Sequence, residues 1–202
     1  MTPHLHRLIL LSLPLSMTVA AAASGPPPTP PPPADVSFTS TIAGPSEPGE
    51  RLVFSGQVFA PDGVTPAANV ILYAYQTDAT GEYRNDADRV ARLHGWVKTD
   101  ANGRFEFRTV RPGPYPNRGI PAHVHFHAWG SGYPLQWTED LKFAGDPLLS
   151  SSDVANSQAL GEFANIRPVD RGADGVWRCN IRFRLSRQTN YPEQYRDDPR
   201  TR

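Results

Sequence analysis

His123, His125 and His127 alternate with Val124, Phe126 and Ala128 along one short run of the 202-residue chain. In an extended strand, side chains two positions apart share a face and stand roughly 7 Å from one another. Neighbouring imidazoles at that spacing can converge on a single ion, and neutral imidazole is a good donor to iron, zinc, copper or nickel. A solvated edge strand with surface histidines accounts for the same pattern taken alone. Tyr115 lies upstream of His123, inside Pro-Gly-Pro-Tyr-Pro. The prolines fix φ and the glycine permits a tight path, so the loop aims this tyrosine from a rigid support. Tyr83 follows a glycine turn in Asp-Ala-Thr-Gly-Glu-Tyr. A phenol ionises near pH ~10 and is a poor ligand to divalent ions at neutral pH. A trivalent, oxygen-seeking ion can strip its proton. Two phenols beside two imidazoles therefore suit ferric iron better than zinc or copper.

The elements that must hold these residues read as strands. Helical periodicity is nearly absent, and short runs of Val, Ile, Phe and Tyr alternate with polar residues between Gly, Pro, Asn and Asp, which predicts an all-β sandwich. The expected strands are Arg51–Phe59, Asn69–Gln76, Gly95–Thr99, Arg104–Val110, Ala122–Trp129 and Trp177–Ser186. The stretches at 60–67 and 100–103 carry Asp-Gly and Asn-Gly turn chemistry. A helix between about Asp153 and Phe163 has little periodic support. Trp96, Trp129 and Trp177 read as core or pocket wall, Tyr73 and Tyr75 as packing, and His94 as a surface residue. Cys179, the single cysteine, reads as a small buried hydrophobe.

The ends are unlike the middle. Residues 1–23 have a weakly basic start, an apolar run and small terminal residues, the layout of a secretory signal peptide. Residues 24–35 are proline-rich and form an extended linker. Residues 36–186 suit one domain, and 187–202 form a polar arm expected to pack on a partner subunit through Tyr191 and Tyr195. Export to the periplasm or the extracellular space follows, with no membrane attachment after signal cleavage. With 20 basic and 20 acidic residues and no basic tract, nucleic-acid binding is not indicated.

From Val53 to Leu149 the sequence resembles the intradiol ring-cleavage dioxygenases, the family of protocatechuate 3,4-dioxygenase and catechol 1,2-dioxygenase. The pieces that carry the likeness are ANVILYAYQTDATGEY, TDANGRFEFRTVRPGPYPNR, PAHVHF and FAGDPLL, in that order. The resemblance implies an antiparallel β-sandwich of the intradiol core type, with long loops and little helix. It implies one Fe(III) per chain held by Tyr83, Tyr115, His123 and His125, a small aromatic diol and O2 as substrates, and association into homo-oligomers. In that family one tyrosine, here Tyr83, leaves the metal and acts as base. The ring opens between its two hydroxyl carbons to a muconate-type diacid.

Three positions depart from the family pattern. Ile120 stands where an arginine usually precedes the Pro-x-His-x-His block, leaving Arg118 as the nearest cation and the expected catalytic substitute. Asp140 falls where a glutamine is often found. His127 is an additional histidine on the ligand face, read here as exposed. The strand and turn grammar is also similar to that of carboxypeptidase regulatory-like and transthyretin-like modules, which require neither the paired tyrosines nor His-x-His. A binding module without turnover is therefore the competing reading.

Overall fold

A computed structural model describes residues 29–83 and 90–191 of the chain. The expected signal peptide, the linker up to residue 28 and the arm beyond Tyr191, Tyr195 included, lie outside the described residues. In chain order the strands are β1 (Thr39–Thr41), β2 (Arg51–Phe59), β3 (Ile71–Gln76), β4 (Leu93–Lys98), β5 (Arg104–Val110) and β6 (His123–Gly130). They continue with β7 (Tyr133–Trp137), β8 (Leu141–Phe143), β9 (Ile166–Arg167), β10 (Asp170–Arg171) and β11 (Trp177–Arg184). Among the described residues one α-helix, α1 (Ser151–Ala159), and a short 3-10 turn (Gly161–Phe163) precede β9.

The strands form two layers. One sheet runs β1-β5-β2-β11-β10 and the other β4-β3-β6-β8-β9, with β7 paired to β6. This is the β-sandwich expected from the alternating pattern. Most pairings are antiparallel, but β1 with β5, β2 with β11 and β8 with β9 are parallel. The long β2–β11 ladder joins strands far apart in sequence, which a local pattern cannot show.

Alternation sets the core. Leu52, Phe54 and Val58 of β2 and Val124, Phe126 and Ala128 of β6 turn inward and are buried, as are Cys179, Ile181 and Phe183 of β11. The Phe126 ring packs against Phe54 and Phe183 with centroids 5.6 and 4.8 Å away. Fully burying a side chain of this size contributes about 1.5–3 kcal/mol. Burial also pushes the Cys179 thiol up to about 12.

A second apolar cluster, centred on Tyr73, Tyr75, Trp129 and Leu135, covers the outer face of the second sheet. The outward residues of β6, His123, His125 and His127, stand on that same face. Both ends of the described residues cover it. Trp96 Nε1 donates to the Pro30 carbonyl at 3.3 Å, and Tyr191 is buried edge-on to Trp137 and His127. Tyr191 thus packs on its own chain rather than serving as an exposed arm contact. Helix α1 starts earlier than the pattern suggested because Ser150 and Asp153 form a reciprocal capping box. No helix among the described residues is long and apolar enough to cross a membrane.

Candidate metal centre

Strand β6 delivers the two imidazoles already oriented. His123 is buried, and its Nδ1–H donates to the Pro121 carbonyl at 2.7 Å. His125 Nδ1–H donates to Asp140 Oδ1 at 2.8 Å. Each of these acceptors fixes the proton on Nδ1, so each neutral ring presents a bare lone pair at Nε2. The two Nε2 atoms face one another at 2.9 Å. Two lone pairs at that distance repel unless a cation sits before them.

The two tyrosines reach the same point from two loops pressed together backbone to backbone. A Cβ on Gly81, at φ +88°, would lie 2.0 Å from the Pro114 carbonyl oxygen, and one on Gly113 would lie 2.6 Å from Gly81 N. Neither clash can be relieved by a side-chain shift, so only glycine lets the loops approach this closely. Asp78 organises the junction. Its carbonyl accepts from Gly81 N at 3.0 Å and Gly113 N at 2.8 Å, and its carboxylate accepts from Thr80 N at 2.9 Å. Thr77 Oγ1 donates to the Gly113 carbonyl at 2.8 Å. Buried Gln76 ties the layers, donating to the Val110 carbonyl at 2.9 Å just before the Tyr115 loop. As a result the Tyr83 and Tyr115 hydroxyls bond to each other, and Tyr115 OH lies 3.2 Å from His125 Nε2. Tyr75 stacks on His125 from the neighbouring strand, with centroids 4.7 Å apart.

Burial raises the Tyr83 phenol far above its ordinary value, and the neighbouring Tyr115 adds to the effect. Burial also raises Tyr115, although its hydrogen bond to Tyr83 and the charge of Arg118 work the other way. Without a cation both stay protonated at neutral pH. Burial and the charge of His125 lower His123, which keeps it neutral and able to donate. Burial raises the Asp140 carboxyl, but the hydrogen bond from His125, with the positive charge of nearby Lys142 adding to it, outweighs burial and holds the carboxyl below the ordinary carboxylate range. The donor set is thus two imidazole lone pairs and two phenols that only a strongly polarising ion would deprotonate. It fits a trivalent, oxygen-seeking metal.

Four predicted residues, Tyr83, Tyr115, His123 and His125, come together. Arg118 does not join their hydrogen-bonded cluster. It sits exposed on the turn after Tyr115, where its charge favours the Tyr115 phenolate. Ile120 is 37% exposed. His127 overturns its expectation: it is 1% exposed, because Thr29 Oγ1 and Tyr191 OH close over its Nδ1. His94 is likewise half-buried, edge-on to Trp96 at 4.8 Å. Asp140 gains a role that its sequence position only hinted at. His123, His125 and Asp140 lie close enough to hold an ion between them. Asp140, however, occupies the Nδ1 side of His125, opposite the nitrogen aimed at the tyrosines. It therefore orients a ligand rather than being one.

A family profile described as Dioxygenase matches residues 25–185. The beta chain of protocatechuate 3,4-dioxygenase from Burkholderia cepacia is 33% identical over 150 residues, covering 68% of this chain and 63% of that protein. The alpha chain from the same organism is 38% identical over 164 residues, covering 72% and 78%. Catechol 1,2-dioxygenase 2 from Acinetobacter lwoffii is 30% identical over 122 residues, covering 52% and 44%. The chain therefore spans less than two thirds of the first and last of these relatives. Among solved structures, the dioxygenase domain of a dioxygenase–carbohydrate-binding fusion from Streptomyces sp. SirexAA-E superposes with a TM-score of 0.60 at 29% identity, covering 82% of this chain and 96% of that one. The 3-chlorocatechol 1,2-dioxygenase of Rhodococcus opacus 1CP superposes with a TM-score of 0.59 at 26% identity, covering 80% and 70%.

Proposed function

The chain belongs to the intradiol ring-cleavage dioxygenases, and from that premise we propose that it is an exported enzyme that holds one ferric ion and uses O2 to open a catechol-type ring between its hydroxyl-bearing carbons. The product is a muconate-type diacid. The observation that carries this reading is the convergence of four donors, with His123 Nε2 and His125 Nε2 at 2.9 Å and the paired Tyr83 and Tyr115 hydroxyls beside them. When bound, the ion supplies the charge that ionises the phenols and the diol.

The chain's own residues supply the rest. His123 and His125 are locked in one tautomer by Pro121 and Asp140 and donate through Nε2. Tyr115 stays fixed by its proline loop. Tyr83 holds and moves a proton at its phenolic oxygen, the base role that the family resemblance assigns. Arg118 stabilises negative charge at Tyr115 from the rim. The named relatives act on protocatechuate, catechol and chlorocatechol, which supports a catecholic substrate here. Family membership and the four-donor site both favour this reading over a binding module without turnover. The chain types of the Burkholderia relatives support oligomerisation, and the apolar run of residues 8–19 supports export.

Oxygen uptake with catechol, together with mass analysis of the product, tests the activity. The expected product is a diacid carrying both atoms of O2. Catechol binding without O2 uptake would instead support a metal-holding protein without turnover, which the arginine-free position at Ile120 makes the specific alternative.

A further inference from the structure

Strand pairing sets Tyr75 of β3 directly opposite His125 of β6. The two rings lie face to face, with centroids 4.7 Å apart and 25° between their planes. Tyr75 is itself held in place. It is 4% exposed, Tyr73 stacks on it at 5.5 Å, and His127 meets it edge-on at 5.4 Å. From the sequence this tyrosine reads as packing, yet what it packs against is a candidate metal ligand.

His125 needs two restraints to aim its lone pair. The hydrogen bond from Nδ1–H to Asp140 Oδ1, at 2.8 Å, decides which nitrogen is bare. That bond grips one ring atom only, and the last side-chain torsion of a histidine has broad minima. Nε2 nevertheless has to point at one place, where His123 Nε2 lies 2.9 Å away and Tyr115 OH 3.2 Å away. We propose that Tyr75 is a positioning residue of the metal centre: its ring fixes the plane of His125, while Asp140 fixes the tautomer. The inference rests on the metal-centre reading above and adds a residue to that same site. A cross-strand aromatic pair suits this work, because stacked rings keep their attraction only while their faces overlap. An imidazole that rotated out of plane would give up the contact and collide with Tyr75. The Tyr83 ring also leans on Tyr75, but at 6.1 Å and tilted by 41°, so His125 makes the closer contact.

The test uses the full chain with Tyr75→Leu and Tyr75→Phe. Leucine removes the flat face, whereas phenylalanine keeps it and removes only the hydroxyl. After loading with ferric iron, Tyr75→Leu should bind the metal about two- to tenfold more weakly in chelator competition, the size of one aromatic stack. Its phenolate-to-iron band should also shift. Tyr75→Phe should recover the affinity to within about twofold and restore the band. Phe54→Leu, a buried change in the other sheet, controls for stability: it should lower the melting temperature without moving affinity or band. A metal-independent reading uses iron-free protein with isotope-labelled histidine. The His125 ring signals should broaden or split in Tyr75→Leu and stay sharp in Tyr75→Phe. Unaltered affinity and band in Tyr75→Leu, equal losses in both variants, or unchanged His125 signals would overturn the positioning role while leaving the enzyme intact. Failure of the unsubstituted chain to bind iron would overturn the metal-centre reading itself, and the histidine spectra would still decide whether Tyr75 orients the ring.

Discussion

Asp140 decides which nitrogen of His125 is free to bind metal, through one hydrogen bond of 2.8 Å. Asp140→Asn keeps an oxygen at that place but removes the charge. Outer partners of this kind typically carry about 10–100-fold in metal affinity. Iron affinity measured by chelator competition should fall within that range, and an unchanged affinity would show that the bond does not support the ligand. His127 makes a different contribution. It anchors Thr29 and Tyr191, which also bond to each other at 2.6 Å. His127→Ala leaves buried hydroxyls short of a partner and should cost about 1–3 kcal/mol in urea denaturation. The convergence of Tyr83, Tyr115, His123 and His125 was legible in the sequence because each sits in a motif that restricts its backbone. The burial of His127 was not, because its partners lie 98 and 64 residues away. Period-2 alternation says which face a residue takes but not what covers that face.

The two tyrosine-bearing loops act as one element because Gly81 and Gly113 let their backbones touch. Ala at position 113 would collide with Gly81 N and the Ala79 carbonyl oxygen, at 2.6 and 2.7 Å. Gly113→Ala should push Tyr115 away from Tyr83, sharply reducing iron loading, while far-UV circular dichroism still reports the sandwich. Retained loading would mean that the glycine contact does not set the tyrosine pair. Long strands such as β2, β5 and β6 were plain from their alternation. The pieces β7 to β10 were not. They span two to five residues, too few for a period to register, and β9 joins its sheet through parallel pairing with β8. Helix α1 was indistinct for a related reason: of its nine residues only Ser157 is buried.

Across the whole molecule, one face of the sandwich carries the chemistry and both described ends of the chain fold over it. That coupling makes the site sensitive to acid. His123 has a folded pKa below its ordinary value of about 6.5. The unfolded chain therefore binds more protons as pH falls below that value, and stability drops with it. Asp140, also depressed, adds a second loss that begins only below about 3.8, the ordinary value for this carboxyl. Iron-free protein should thus melt at progressively lower temperature as pH falls from about 7.5 to about 5. His123→Gln should flatten that slope, and an equally steep slope in the variant would assign the acid loss to other groups. The most direct measurement is the metal itself. Purified protein loaded with iron should hold one ferric ion per chain and show a visible phenolate-to-iron charge-transfer band. That band should weaken or shift in Tyr115→Phe and change again when catechol is added. A colourless, iron-free protein after loading, or a band indifferent to Tyr115→Phe, would contradict a ferric centre built on Tyr83, Tyr115, His123 and His125.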